Sequence, residues 1–141
     1  MKKKAWIIAA AAAVCIAAVL FAVLRPAPGS GYTLLVDGEA LTSAVLSPEK
    51  QELRIHLTLD GQEIADLPFG EPHTVLLRQE NGDENLLRIT EDSVFMENAN
   101  CEGQDCVEMG EVTAENLELR VMGGFIICLP HRLSVEVRGR D

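Results

Sequence analysis

Two hydrophobic patterns divide the chain. From Ala5 to Leu24 every residue is apolar, an uninterrupted run of 20. As a helix rising about 1.5 Å per residue it would span roughly 30 Å, the thickness of a bilayer's hydrocarbon core. Beyond Gly31 the pattern changes to short segments of period two. Tyr32–Val36 reads as a strand stopped by Asp37-Gly38, and Leu41–Leu46 as its return. Ser47-Pro48-Glu49-Lys50 reads as a turn, or a single turn of helix with Ser as cap and Pro at the first position. Leu53, Ile55, Leu57 and Leu59 alternate with Arg54, His56, Thr58 and Asp60, the pattern of a half-buried strand.

Asp60-Gly61 is a hairpin dipeptide, and Gln62–Leu67 returns from it. His73–Gln79, Asn85–Thr90 and Ser93–Glu97 follow as strands, the first two joined through Asn81-Gly82. Leu117, Leu119 and Val121 alternate with Glu118, Arg120 and Met122 and predict another strand. Gly123-Gly124 then leads into Phe125–Leu129, and Leu133, Val135 and Val137 mark the last strand. Outside the first run no stretch has helical periodicity. Many short strands with frequent turns predict an all-β domain, a small antiparallel barrel or sandwich. Its expected bounds are 32–141, after an anchor over 1–25 and a tether over 26–31.

Charge fixes an orientation for the anchor. Lys2-Lys3-Lys4 precede the apolar run and Arg25 ends it, which predicts a cytoplasmic N-terminus and an extracytoplasmic domain. Trp6 falls where an interfacial indole is expected, and Cys15 would face the membrane. A cleaved leader fits less well, because the run is long and exits through Arg25-Pro26-Ala27-Pro28 without a small-x-small site. Residues 26–141 carry all 22 acidic residues against eight basic ones, a formal charge of −14. Such a surface repels phosphate backbones, which excludes nucleic acid as the expected partner.

The candidate chemistry is confined to Asn98–Leu133, which holds Cys101, Cys106 and Cys128. In an oxidising compartment three cysteines suggest one disulfide and one free thiol. If Cys101 and Cys106 face each other across a four-residue loop closing two antiparallel strands, they are spaced for a bridge. Loop entropy assigns that short bridge roughly 2 kcal/mol and a Cys106–Cys128 bridge about 3.4 kcal/mol. Local geometry favours Cys101–Cys106; Cys106–Cys128 is the alternative. With His131 the spacing C-x4-C-x21-C-x2-H is also a formal zinc set, though it lacks the C-x2-C knuckle of most zinc sites. Thiol–disulfide work is a third option. No basic residue near Cys101 or Cys106 in sequence would lower a thiol pKa, and Glu102, Asp105 and Glu108 would raise it. His56 and His73 read as surface histidines. No nucleophile elbow, phosphate loop or H-E-x-x-H occurs, so no catalytic residue and no cofactor is assigned.

Ala99-Asn100-Cys101, Cys106-Val107 with Gly110, and Ile126-Ile127-Cys128-Leu129-Pro130 with Leu133 resemble the NusG domain II-like proteins, small membrane-anchored extracytoplasmic proteins of bacteria. The resemblance covers about residues 55–138. Three positions depart from the family's usual pattern: Glu102 stands for a Pro, Glu111 for an aromatic or apolar residue, and His131-Arg132 for Asn-Lys. The resemblance implies a compact β-barrel-like fold and no role in transcription. Members are largely of unknown function, and some are similar to accessory proteins found with membrane transport or flavin-linked extracellular electron-transfer systems. The expected function is a non-enzymatic accessory or binding module for an envelope protein complex. The alternatives are a thiol–disulfide or electron-transfer component, and a zinc-binding domain.

Overall fold

Period two is realised over most of the polar part of the chain. In the computed structural model, which describes residues 31–41 and 52–139, ten strands and one short helix follow in order. They are β1 (Tyr32–Val36), β2 (Glu39–Ala40), β3 (Leu53–Leu59), β4 (Gln62–Pro68), β5 (His73–Gln79), β6 (Glu84–Ile89) and β7 (Ser93–Ala99). Helix α1 (Asp105–Glu108) comes next, then β8 (Val112–Thr113), β9 (Phe125–Cys128) and β10 (Leu133–Gly139). The apolar run, most of the tether, and the Leu41–Leu46 and Ser47–Lys50 predictions beyond Leu41 lie outside the described residues. Among the described residues no helix is long and apolar enough to cross a membrane.

The strands form two antiparallel sheets, ordered β2-β1-β5-β6-β7-β8 and β4-β3-β10-β9. Neither closes on itself, so the expected barrel is not formed. Closure needs every strand to have two neighbours, and β2, β8, β4 and β9 each have one among the described residues. Both sheets contribute to a single hydrophobic cluster. Val75, Leu77, Leu87, Ile89 and Met96 come from the first sheet, and Ile55, Leu57, Leu67, Ile126 and Val135 from the second. The alternation of β3 breaks in β4, where Ile64 and Ala65 are both buried. A register shift opposite Leu57 and Thr58 inserts the extra residue.

Both Asp-Gly dipeptides make the same turn. Asp37 and Gly38 have φ of 52° and 87°, Asp60 and Gly61 of 52° and 79°. Two successive positive values are what a type I′ hairpin requires. Asp37 has a second task. Its carboxylate accepts from the Thr74 backbone N–H (2.8 Å) and from His73 Nδ1 (2.7 Å), tying the hairpin to β5. These bonds, the backbone one foremost, lower its pKa below the ordinary 3.8. Its contribution to stability is therefore complete above that value and is lost as the pH falls through the lowered folded value. Asp37→Asn is expected to lower the urea midpoint at pH 6, with the gap to the parent chain closing in acid. Equal midpoints at pH 6 would contradict this.

Two expectations fail between the sheets. Cys101 and Cys106 do not close a hairpin: Cys106 lies in α1. Gln104 enters a left-handed conformation, φ 54°, and its side-chain amide donates to the Ala99 and Cys101 carbonyls. The chain thus turns into a helix where a strand was expected to return. The second failure is the predicted strand Leu117–Met122, which is a series of turns. Asn116 Oδ1 accepts from the Thr113 N–H at 2.8 Å, and the Leu119 and Arg120 amides fold back onto the Asn116 carbonyl.

Candidate functional site

The cysteine segment lies where the ends of the two sheets meet. β7 ends at Ala99 and delivers Cys101; α1 packs against both β7 and β9 and delivers Cys106; β9 ends at Cys128. His131 sits in the turn between β9 and β10, closed by the Arg132 N–H on the Leu129 carbonyl and by a left-handed Arg132, φ 57°. All four side chains are buried. Cys101 Sγ and Cys106 Sγ are 3.8 Å apart. One ligand atom each of Cys101, Cys128 and His131 lie within 4.8 Å of one another. The residues that spacing singled out therefore converge. The three cysteines are unlinked thiols here.

The family-pattern residues divide around this cluster. Ala99 and Leu133 are buried and Val107 half-buried beneath it, while Gly110 ends α1 with φ 71°. Leu129 and Pro130 are exposed at its outer edge. With Gly103, Gln104, Asp105 and Ile127 they border a small cavity of about 40 Å³ that all three cysteines line.

Electrostatics sets the Cys106 thiol against ionisation. Burial, then Cys128 and Cys101 in that order, push the Cys106 thiol up to about 12. The direction is the one expected from sequence, but the cause is desolvation and the other two thiols rather than neighbouring carboxylates. His56 pairs with Glu63 at 3.0 Å and His73 with Asp37, and neither belongs to the group formed by Cys101, Cys128 and His131.

Sequence reasoning missed the residues that hold His131. Its Nδ1–H donates to Asn85 Oδ1 at 2.8 Å, its carbonyl accepts from Gln79 Nε2 at 2.8 Å, and Asp83 Oδ1 lies 3.6 Å from Nε2. Asn85 was legible in principle. It shares strand parity with the buried Leu87 and Ile89, and a polar side chain on an inward face needs a buried partner.

Comparison with known proteins agrees with this architecture. The sequence pattern of NusG domain II matches residues 7–141. None of the curated proteins is similar to the chain. Among solved structures it is similar to a DUF1312 family protein from Enterococcus faecalis V583, with 25% identity, 63% of this chain and 99% of that one covered, and a TM-score of 0.55. The Lin0431 protein from Listeria innocua shares the fold at 20% identity, with 64% and 100% covered and a TM-score of 0.54. With nearly its whole length matched, the chain belongs to the NusG domain II family.

Proposed function

We infer that the protein is a non-enzymatic binding module, carried on the outer face of the cell membrane by its N-terminal apolar run and contacting an envelope protein. The observation that supports this reading is the turn segment after β8. Leu119 is 84% and Val121 101% exposed, with Met122 beside them. Between them Arg120 points inward and donates to four backbone carbonyls: Met109 (3.0 Å), Glu111 (2.8 Å), Gly123 (3.0 Å) and Phe125 (3.3 Å). Apolar side chains on a segment already held in place bind without the ordering cost of a loose loop. Large exposed apolar residues in one segment are more informative than scattered ones.

The test is crosslinking in intact membranes followed by copurification, comparing the parent chain with Leu119→Ser/Val121→Ser. A partner enriched with the parent and lost from the variant, with the circular dichroism spectrum unchanged, is the expected outcome. A chain with no enriched partner, or a partner retained by the variant, would refute the proposal. The thiol–disulfide reading has less support. In the metal-free chain the buried Cys106 thiol, pushed up to about 12, stays protonated at neutral pH, and a protonated thiol is a poor nucleophile.

A further inference from the structure

We propose that Cys101, Cys106, Cys128 and His131 form a structural zinc site that ties the two sheets together. Four observations carry it. First, the donors are of the right kind and gather in one place: ligand atoms of Cys101, Cys128 and His131 lie within 4.8 Å of one another, and Cys106 Sγ is 3.8 Å from Cys101 Sγ. All four side chains are buried, and thiols and imidazole are the ligands of four-coordinate structural zinc. Second, the spacing suits the ion. With zinc–sulfur bonds near 2.3 Å, a tetrahedral site sets its sulfurs about 3.8 Å apart, the separation found between Cys101 and Cys106.

Third, His131 is oriented by an outer partner. The Asn85 carbonyl oxygen takes the Nδ1 proton, so in the neutral ring the lone pair is on Nε2. A ligating histidine characteristically gives its other N–H to a carbonyl or carboxylate in this way. Asn85 is itself buried and turns its amide nitrogen toward Met96 Sδ at 3.7 Å. Fourth, there is an approach to the ligands, since the small cavity beside Leu129 and Pro130 is lined by all three cysteines.

The topology gives such an ion a purpose. Cys101 lies two residues beyond the end of β7 in the first sheet, while Cys128 and His131 belong to the β9–β10 end of the second. Bound zinc links the ends of two sheets that no disulfide joins in this structure. It also keeps three thiols from oxidation in an oxidising compartment. This role is independent of partner binding through Leu119 and Val121, and the two proposals can fail separately.

The experiment is elemental analysis and cobalt substitution of the full-length chain, purified anaerobically without added thiols. One zinc per chain is expected, with the three thiols unreactive until a chelator is added. Chelation should lower the melting temperature by about 10 °C or more, the mass-action effect of removing a tightly bound ligand. Cobalt(II) should give the thiolate charge-transfer and ligand-field bands of a tetrahedral site. His131→Asn should weaken cobalt binding at least tenfold, and Asn85→Ala about 10- to 100-fold, as outer partners of metal ligands do. A zinc-free chain with a Cys101–Cys106 or Cys106–Cys128 disulfide would overturn the proposal. So would a reduced, folded chain that gives no cobalt bands.

Discussion

Gly124→Ala is expected to be among the most damaging single substitutions in the domain. A Cβ built at Gly124 falls 2.1 Å from the Val137 carbonyl oxygen and 2.9 Å from Leu117 Cδ2. The first of these is backbone of the facing strand and cannot rotate away. Relief requires β9 and β10 to separate at this end, which breaks the Val137 N–H bond to the Gly124 carbonyl (2.9 Å) and disturbs the neighbouring Phe125–Glu136 pair. Overpacking with loss of a ladder bond is expected to cost about 3 kcal/mol or more. For a domain of this size that is a fall in melting temperature of roughly 12–24 °C.

Gly123 supplies the control. Its φ is 56°, but an added Cβ meets only the Leu117 carbonyl at 3.7 Å. Gly123→Ala therefore carries the left-handed penalty alone, about 1–2 kcal/mol. Urea denaturation of both variants should rank Gly124→Ala clearly below Gly123→Ala. Equal midpoints would mean that the close approach at Gly124 does not constrain the sheet.

This pair of glycines also marks where sequence reasoning stops. Alternation identified β3 and β10 because each has one buried face and burial imposes period two. β5, β6 and β7 stood out as short segments between turn signals, and β9 as a continuous apolar run. The Asp-Gly turns were legible because few residues tolerate positive φ at both positions of a hairpin. Leu117–Met122 has the same alternation, yet it is inverted: Arg120 faces in, while Leu119 and Val121 face out. What decides this is a set of carbonyls at Met109, Glu111, Gly123 and Phe125, and no local pattern reveals acceptors eleven residues upstream.

The cysteine cluster was legible as a set of residue types and spacings, but its supports were not. Asn85 lies 46 residues from His131 and reaches it only because β6 and the β9–β10 turn meet in space. Gln104, which turns the chain into α1, has no sequence hallmark. Sequence patterns report which residues are buried. They are silent on which polar groups then satisfy one another.

Arg120→Ala should show how far a single side chain holds the segment that carries the exposed apolar residues. β9 is an edge strand, and its pairing with β10 uses the Gly124 carbonyl. By alternation the Phe125 carbonyl and the Ile127 N–H face away from β10. Both are covered: Arg120 Nη2 donates to the Phe125 carbonyl, and the Ile127 N–H donates to Met109 Sδ at 3.3 Å. Arg120 therefore does two things at once. It fixes the turns between Asn116 and Phe125, and it blunts an edge that could otherwise pair with another chain.

Removing the guanidinium leaves four carbonyls to water. Charged hydrogen bonds contribute about 1.5–3 kcal/mol each when buried, and these are partly exposed, so a net loss of about 2 kcal/mol is expected. Arg120→Lys should recover little of it, because an ammonium cannot reproduce a planar fork that reaches several carbonyls together. Amide hydrogen exchange should locate the damage. The Leu119, Gly123 and Phe125 amides, bonded to Asn116, Arg120 and Met122, should lose protection. Amides of β3 and β5 should keep theirs apart from the global shift. If the segment is a preformed binding surface, Arg120→Ala also weakens partner capture although Leu119 and Val121 remain. An unchanged exchange pattern in residues 116–125 would show that the segment is held by something other than Arg120, and that this side chain does not preorganise it.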